Sequence, residues 1–181
     1  EIDYAAPNIK IDDRDANEVI LSSNDPLSDY DAHVGIWLRR WAEVTPEYTF
    51  LAERNADNEW GRLSYAAANT GANAIAQALL ERDLSSNRPL MILSGNSINH
   101  GLLSLGALCA GVPVVPVSPA YSLMSQDYAK VQYIFDLCKP GLVYVENGAM
   151  FEASLGSIDL TGVHVLVDSE PPSGIETTNF S

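Results

Sequence analysis

Between Pro89 and Ala129 the chain carries no lysine or arginine and a single acid, Asp127. A stretch this poor in charge belongs inside a fold, because charged side chains are almost never fully shielded from water. It is not a membrane span: crossing a bilayer takes about 20 continuous apolar residues, and Asn96, Asn99, His100, Pro113 and Pro116 interrupt this one. Three elements are legible in it. "PLMILSG" is a continuous apolar run of strand length; "NSINHGLLSLGALCAG" is a helix with Ile98, Leu102, Leu105 and Cys109 along one face; "VPVVPV" is a second short strand. Runs that are apolar throughout, rather than alternating, mark strands covered on both faces. Proline has no N–H to give a central ladder, so Pro113 and Pro116 indicate a strand start and a bend near the strand's C-terminal end.

The alternation continues downstream. "SQDYAKVQYIFDLCK" is helical, with Val131, Ile134, Phe135 and Cys138 on one face, and Pro140-Gly141 stops it. "LVYV" is a strand, "AMFEASL" a short helix and "HVLV" a further strand, after which the polar "DSEPPSGIETTNFS" reads as loop. Upstream, Ile9 to Ile11 and Val19 to Ser22 flank a polar Asp-Ala-Asn turn, which predicts a hairpin. "DAHVGIWLRRWAEVTP" places Val34, Trp37, Leu38, Trp41 and Ala42 on one stripe, predicting an amphipathic helix that packs two tryptophans. Phe50 to Arg54 and Trp60 to Leu63 predict a second hairpin, and Ser64 caps a helix with Ala68, Ala72, Ile75, Ala76 and Leu79 on its buried face. Strands and helices in alternation imply an α/β fold, a mainly parallel sheet with helices on both faces, here preceded by N-terminal β-hairpins. The expected division is residues 1–63 for the hairpins and amphipathic helix, 64–168 for the α/β subdomain and 169–181 for a linker.

The chain has 181 residues and a formal net charge of -14. Such an excess of acid opposes binding to nucleic acid, whose affinity comes largely from lysine and arginine releasing counterions, and it disfavours anionic membrane surfaces. The acids at Asp12, Asp13, Asp15, Glu18, Asp29 and Asp31 read as a solubilising surface. Cys109 and Cys138 sit among apolar residues, away from any histidine at metal-ligand spacing, and read as free thiols in a reducing compartment. No basic-then-apolar leader opens the chain, which points to the cytoplasm.

Motifs for chemistry are incomplete. "SGNSINH", residues 94 to 100, leaves a strand and opens a helix, where backbone N–H groups can face an anion. A phosphate loop would need glycine at position 100, where this chain has His100, and no GxGxxG fingerprint occurs. An ordinary turn, with Asn96 or Ser97 as N-cap, is the favoured reading. His100 reads as a hydrogen-bonded structural histidine, "SGIETT" at 173–178 as a linker, and no GxSxG elbow is present. No catalytic residue and no metal site emerge.

Read in order, several stretches resemble the start of the adenylate-forming superfamily of acyl- and aryl-CoA ligases, luciferases and peptide-synthetase adenylation domains. "RLSYAAANTGANAIAQALL" resembles its early strand-to-helix motif, and "ALCAGVPVVPVSPAYS" its motif of Ala-Gly followed by spaced prolines. "TFLAERN", "LSYAAA", "RPLMILSGNSINHGLLSLGAL", "PVSPAYSLMSQDYAKVQYI" and "KPGLVYVENG" are most similar to bacterial feruloyl-CoA synthetases, over about Asp25 to Asp168. The resemblance implies an N-terminal fragment, the first subdomain of the large N-terminal domain, inactive alone. It implies a parent that joins an aromatic carboxylic acid to CoA through an acyl-adenylate, using ATP and Mg²⁺, with none of these held tightly by the fragment. The family's phosphate loop, adenylate motif, ribose-binding aspartate and C-terminal lysine match nothing here. Tyr65, Gly111, Pro113 and Pro116 would be framework, and Ser94, Asn96, Ser118 and Tyr121, at strand ends, would line the acyl or CoA cleft. A missing remainder would leave an apolar face through which copies self-associate. The competing expectation is a standalone flavodoxin-like binding or interaction module, and a third is a peptide-synthetase adenylation fragment.

Overall fold

The computed structural model describes residues 6–15 and 17–180, in two compact units, Glu1–Asp31 and Ala32–Ser181. The first is a hairpin, β1 (Ile9–Asp15) paired antiparallel with β2 (Glu18–Ser23). Its strands run longer than the two apolar runs suggested, because Asp12 and Asp13 continue the ladder opposite Ile20 and Val19.

In the second unit, α1 (Val34–Val44) is followed by a hairpin of β3 (Thr49–Arg54) and β4 (Trp60–Ser64), then α2 (Tyr65–Leu80). The hairpin pairs Leu51 with Leu63 and Arg54 with Trp60. Ser64 caps α2 as expected, its hydroxyl accepting the Ala67 N–H at 3.2 Å. Next come β5 (Leu90–Leu93), α3 (Ile98–Cys109), β6 (Val114–Val117), a one-turn α4 (Ala120–Leu123), α5 (Ala129–Cys138), β7 (Leu142–Asn147), α6 (Gly148–Leu155), β8 (His164–Ser169) and β9 (Thr178–Asn179). β5 to β9 form one parallel sheet in the order β6-β5-β7-β8-β9. No helix among the described residues is long and apolar enough to cross a membrane.

Both sheet faces are covered, which is why the strands are apolar throughout. Leu90, Ile92, Leu142, Tyr144 and Leu166 face α2 and α3, packing with Leu79, Leu103 and Ala107. Met91, Leu93, Val143, Val145 and Val167 face the other way, against Val131 and Phe135 of α5 and Phe151 and Leu155 of α6. α1 adds an outer layer, where Leu38 packs with Ala68, Ala72, Leu102 and Leu105.

Three local expectations need correction. α3 turns Leu103 and Ala107 to the sheet and Gly106 to α2, so the stripe through Ile98 and Cys109 is a second packed side of the helix and not its whole buried face. A helix buried on two sides has no wet face to orient its periodicity, and Leu102 and Leu105 belong to the contact with α1 and α2. The two tryptophans of α1 are not buried: Trp37 is 49% exposed and Trp41 48%, and they line a recess of about 260 Å³ with Phe50 and Tyr65. The polar tail is not all loop, since β9 joins β8 and the Phe180 ring meets Tyr144 edge-on at 5.6 Å. A two-residue strand is too short to leave a hydropathy signature.

Gly106 sets the approach of α3 to α2. A β-carbon there would lie 2.5 Å from Ile75 Cγ2 and 3.0 Å from the Ala72 carbonyl oxygen. Alanine gains about 1 kcal/mol of helix propensity over glycine, but forcing a methyl into a packed contact costs about 1–3 kcal/mol. We therefore expect Gly106→Ala to lower the urea midpoint. Gly156→Ala, at φ -65° with its nearest obstacle 3.5 Å away, should leave the midpoint unchanged or raise it. The reverse ranking would contradict this packing.

Candidate functional site

In a parallel sheet covered on both faces, ligands bind beyond the C-terminal strand ends, where the strand order reverses. Here that point lies between β5 and β7, because the chain goes to one side of β5 to make β6 and to the other to make β7. The register gathers three side chains there. Leu93 pairs with Val145 and Val145 with Val167, so the residues one step on, Ser94, Glu146 and Asp168, form a row across the three strands. They share the face of Ile92, Tyr144 and Leu166, and the first turn of α3 lies over them.

Hydrogen bonds tie this row to the α3 entry. The Gly95 N–H donates to Glu146 Oε2 at 3.0 Å, and the Asn99 amide to Asp168 Oδ2 at 3.1 Å. Glu53, reaching in from β3, accepts the Ile98 N–H at 2.7 Å, and Ser97 Oγ accepts the His100 N–H at 3.0 Å. Ser97 is thus the N-cap of α3, with an acid where the helix dipole favours one. His100 Nδ1 lies 2.9 Å from Ser94 Oγ and 3.1 Å from the Gly95 carbonyl oxygen. With its proton on Nε2 the ring accepts from Ser94; with the proton on Nδ1 it donates to Gly95; either tautomer pins the ring to the turn. The hydrogen-bonded structural histidine of the sequence reading is what this geometry holds.

These contacts make the turn a poor host for an anion. The Ile98 and His100 amides of α3 are taken by Glu53 and Ser97, and three half-buried carboxylates ring the turn. No lysine or arginine in 89–129 offsets them. No group of three His, Cys, Asp or Glu among the described residues could hold a metal ion. Both cysteines are free.

Tyr144 lies one step beneath the row. It is fully buried and its hydroxyl has no hydrogen-bond partner of normal geometry. Burial, then the fields of Asp168 and Glu146, push its phenol well above the usual tyrosine range; the nearby Asn99 amide favours the ionised form but does not outweigh them.

Ser94 is buried within this network, and Asn96 is exposed beside it. Ser118 is exposed at the end of β6, and Tyr121, on α4, packs toward the α5 and α6 side with Lys130 Nζ 4.7 Å from its ring centre. All four candidates lie at the C-terminal edge of the sheet, but only Ser94 belongs to the row. Glu53, Asn99, Glu146, Asp168 and Tyr144 were missed from the sequence. A signal existed for two of them: Glu146 and Asp168 are the first acids after the apolar runs "LVYV" and "HVLV".

Among known proteins, the AMP-binding enzyme family matches residues 38–180. The chain belongs to that family. Tyrocidine synthase 3 of Brevibacillus parabrevis is 30% identical over 118 residues, which is 65% of this chain and 2% of that protein. An acyl-CoA synthetase of Brucella canis superposes with a TM-score of 0.65 at 14% identity, over 81% of this chain and 26% of its own. A fatty acyl-adenylate ligase from L. pneumophila, solved with acyl adenylate and pyrophosphate, gives 0.59 at 19% identity, over 75% and 23%. At such identities these structures show the shared fold, the N-terminal part of the adenylate-forming architecture. The chain spans only a small part of the length of each relative.

Tyr144 makes a pH prediction. The folded chain keeps the proton that the unfolded chain releases above about pH 10, so stability falls as pH rises past that value, by up to about 1.4 kcal/mol per pH unit from this group. Tyr144→Phe should flatten the decline in denaturation midpoint above pH 10 relative to the parent chain. Parallel declines would mean that the phenol is not held neutral.

Proposed function

We propose that this chain is the N-terminal part of an ATP-dependent aryl- or acyl-CoA ligase of feruloyl-CoA synthetase type, acting in the cytoplasm. The observation that carries the reading is the family match over residues 38–180, joined to the sequence likeness from about Asp25 to Asp168. In the intact enzyme, a carboxylate and ATP with Mg²⁺ give an acyl-adenylate and pyrophosphate, and the CoA thiolate then displaces AMP. Activation is required because a carboxylate is a poor electrophile, whereas the mixed anhydride offers a good leaving group. This chain contributes framework: residues 64–168 supply the first α/β subdomain, 169–181 lead out of it, and Ser94, Asn96, Ser118 and Tyr121 face the acyl or CoA cleft from the strand ends. Its half-exposed Trp37 and Trp41 belong to an apolar face through which isolated copies associate.

A second reading draws support from the likeness to tyrocidine synthase 3: an adenylation domain that activates an amino acid for a carrier-protein thiol. The standalone flavodoxin-like module is not favoured. The strand order suits it, but the family match accounts for the same sheet and for the preceding α1 and hairpin as well.

The deciding assay measures carboxylate-dependent pyrophosphate release by the intact protein, followed by thioester formation. Hydroxycinnamates with CoA should support both steps, and the 181-residue chain alone should support neither. Activity only with an amino acid and a carrier protein would favour the second reading. Turnover by the 181-residue chain alone would overturn its role as an incomplete part.

A further inference from the structure

The carboxylates at the switch point are only half used. Glu146 Oε2 takes the Gly95 N–H and Asp168 Oδ2 the Asn99 amide, which leaves Glu146 Oε1 and Asp168 Oδ1 without a donor among the described residues. No lysine or arginine is seen to pair with either acid among the described residues. Beneath them the Tyr144 hydroxyl is sealed from solvent with no hydrogen bond of normal geometry, the Asn99 amide being the donor nearby. Leaving a buried hydroxyl unmatched is costly, so a partner that completes it is favoured. This one lies on the same sheet face as both acids and within range of their fields.

We propose that this end of the sheet binds a primary ammonium group, held by Glu146 Oε1, Asp168 Oδ1 and the oxygen of Tyr144. An alkylammonium carries three N–H donors and no acceptor, which matches two carboxylate oxygens on neighbouring strands and a hydroxyl below them. A guanidinium suits a single carboxylate gripped by its planar fork, a poorer match to acids on separate strands. The site requires neither ATP nor ligase activity, so it stands or falls apart from the function proposed above.

The test uses the 181-residue chain and two probes, n-propylammonium chloride and an acetyl-capped lysine peptide, with the Gly95 amide followed by NMR. That amide reports on Glu146 directly through its 3.0 Å bond. Propylammonium should shift it saturably, while sodium chloride or tetramethylammonium chloride, which lacks N–H donors, should not. Glu146→Gln and Asp168→Asn should each weaken binding at least tenfold; both keep an oxygen for the Gly95 and Asn99 donors, so the fold should persist by circular dichroism. If either variant unfolds, Tyr144→Phe takes its place and should weaken binding severalfold. Tighter binding of the peptide than of the free amine would assign the site to a lysine side chain, and the opposite order to a small amine. No saturable shift with either probe, or an equal response to tetramethylammonium, overturns the proposal.

Discussion

Everything in the larger unit depends on covering both faces of five parallel strands. A parallel strand pair needs a crossover, and each crossover helix must then bury an apolar stripe against the sheet. The four residues of β5 are fully buried and apolar, alternating between the α2–α3 side and the α5–α6 side. With this strand at the pivot of the strand order, the layers on either side follow, and the outer α1 layer is needed because α3 is apolar on its far side as well.

The same constraint makes the sheet's C-terminal edge polar. Where helices no longer cover the strands, side chains that continue the ladder emerge beside loops, and their identity is free of the packing demand. That is where Ser94, Glu146 and Asp168 appear, one residue past Leu93, Val145 and Val167. They orient the α3 entry through Gly95 and Asn99, so the strand ends and the helix start form one hydrogen-bonded assembly.

Much of this architecture was legible in the sequence because its signals were strong and local. "PLMILSG" and "LVYV" are too apolar for any place but a covered strand, and Ser64 lies where a cap must be. The candidate site was harder, because its members come from β3, β5, α3, β7 and β8 and meet only through register. Nothing local separates Glu53, which caps a helix far along the chain, from the other acids of a chain with net charge -14. Trp37 and Trp41 failed for the converse reason: periodicity locates a stripe but not how deeply it is covered. The order of motifs, by contrast, survives because sequence likeness needs no side-chain geometry.

Pro116 has a further consequence. The Leu90 N–H donates to the Pro113 carbonyl, so in β6, the outermost strand on that side, Val115 and Val117 turn their N–H groups inward and position 116 faces out. The open edge therefore lacks a donor at mid-strand, where a ladder from another chain would have to begin. Growth by strand addition is thereby disfavoured on this side of the sheet, the missing donor falling where the new ladder would need it.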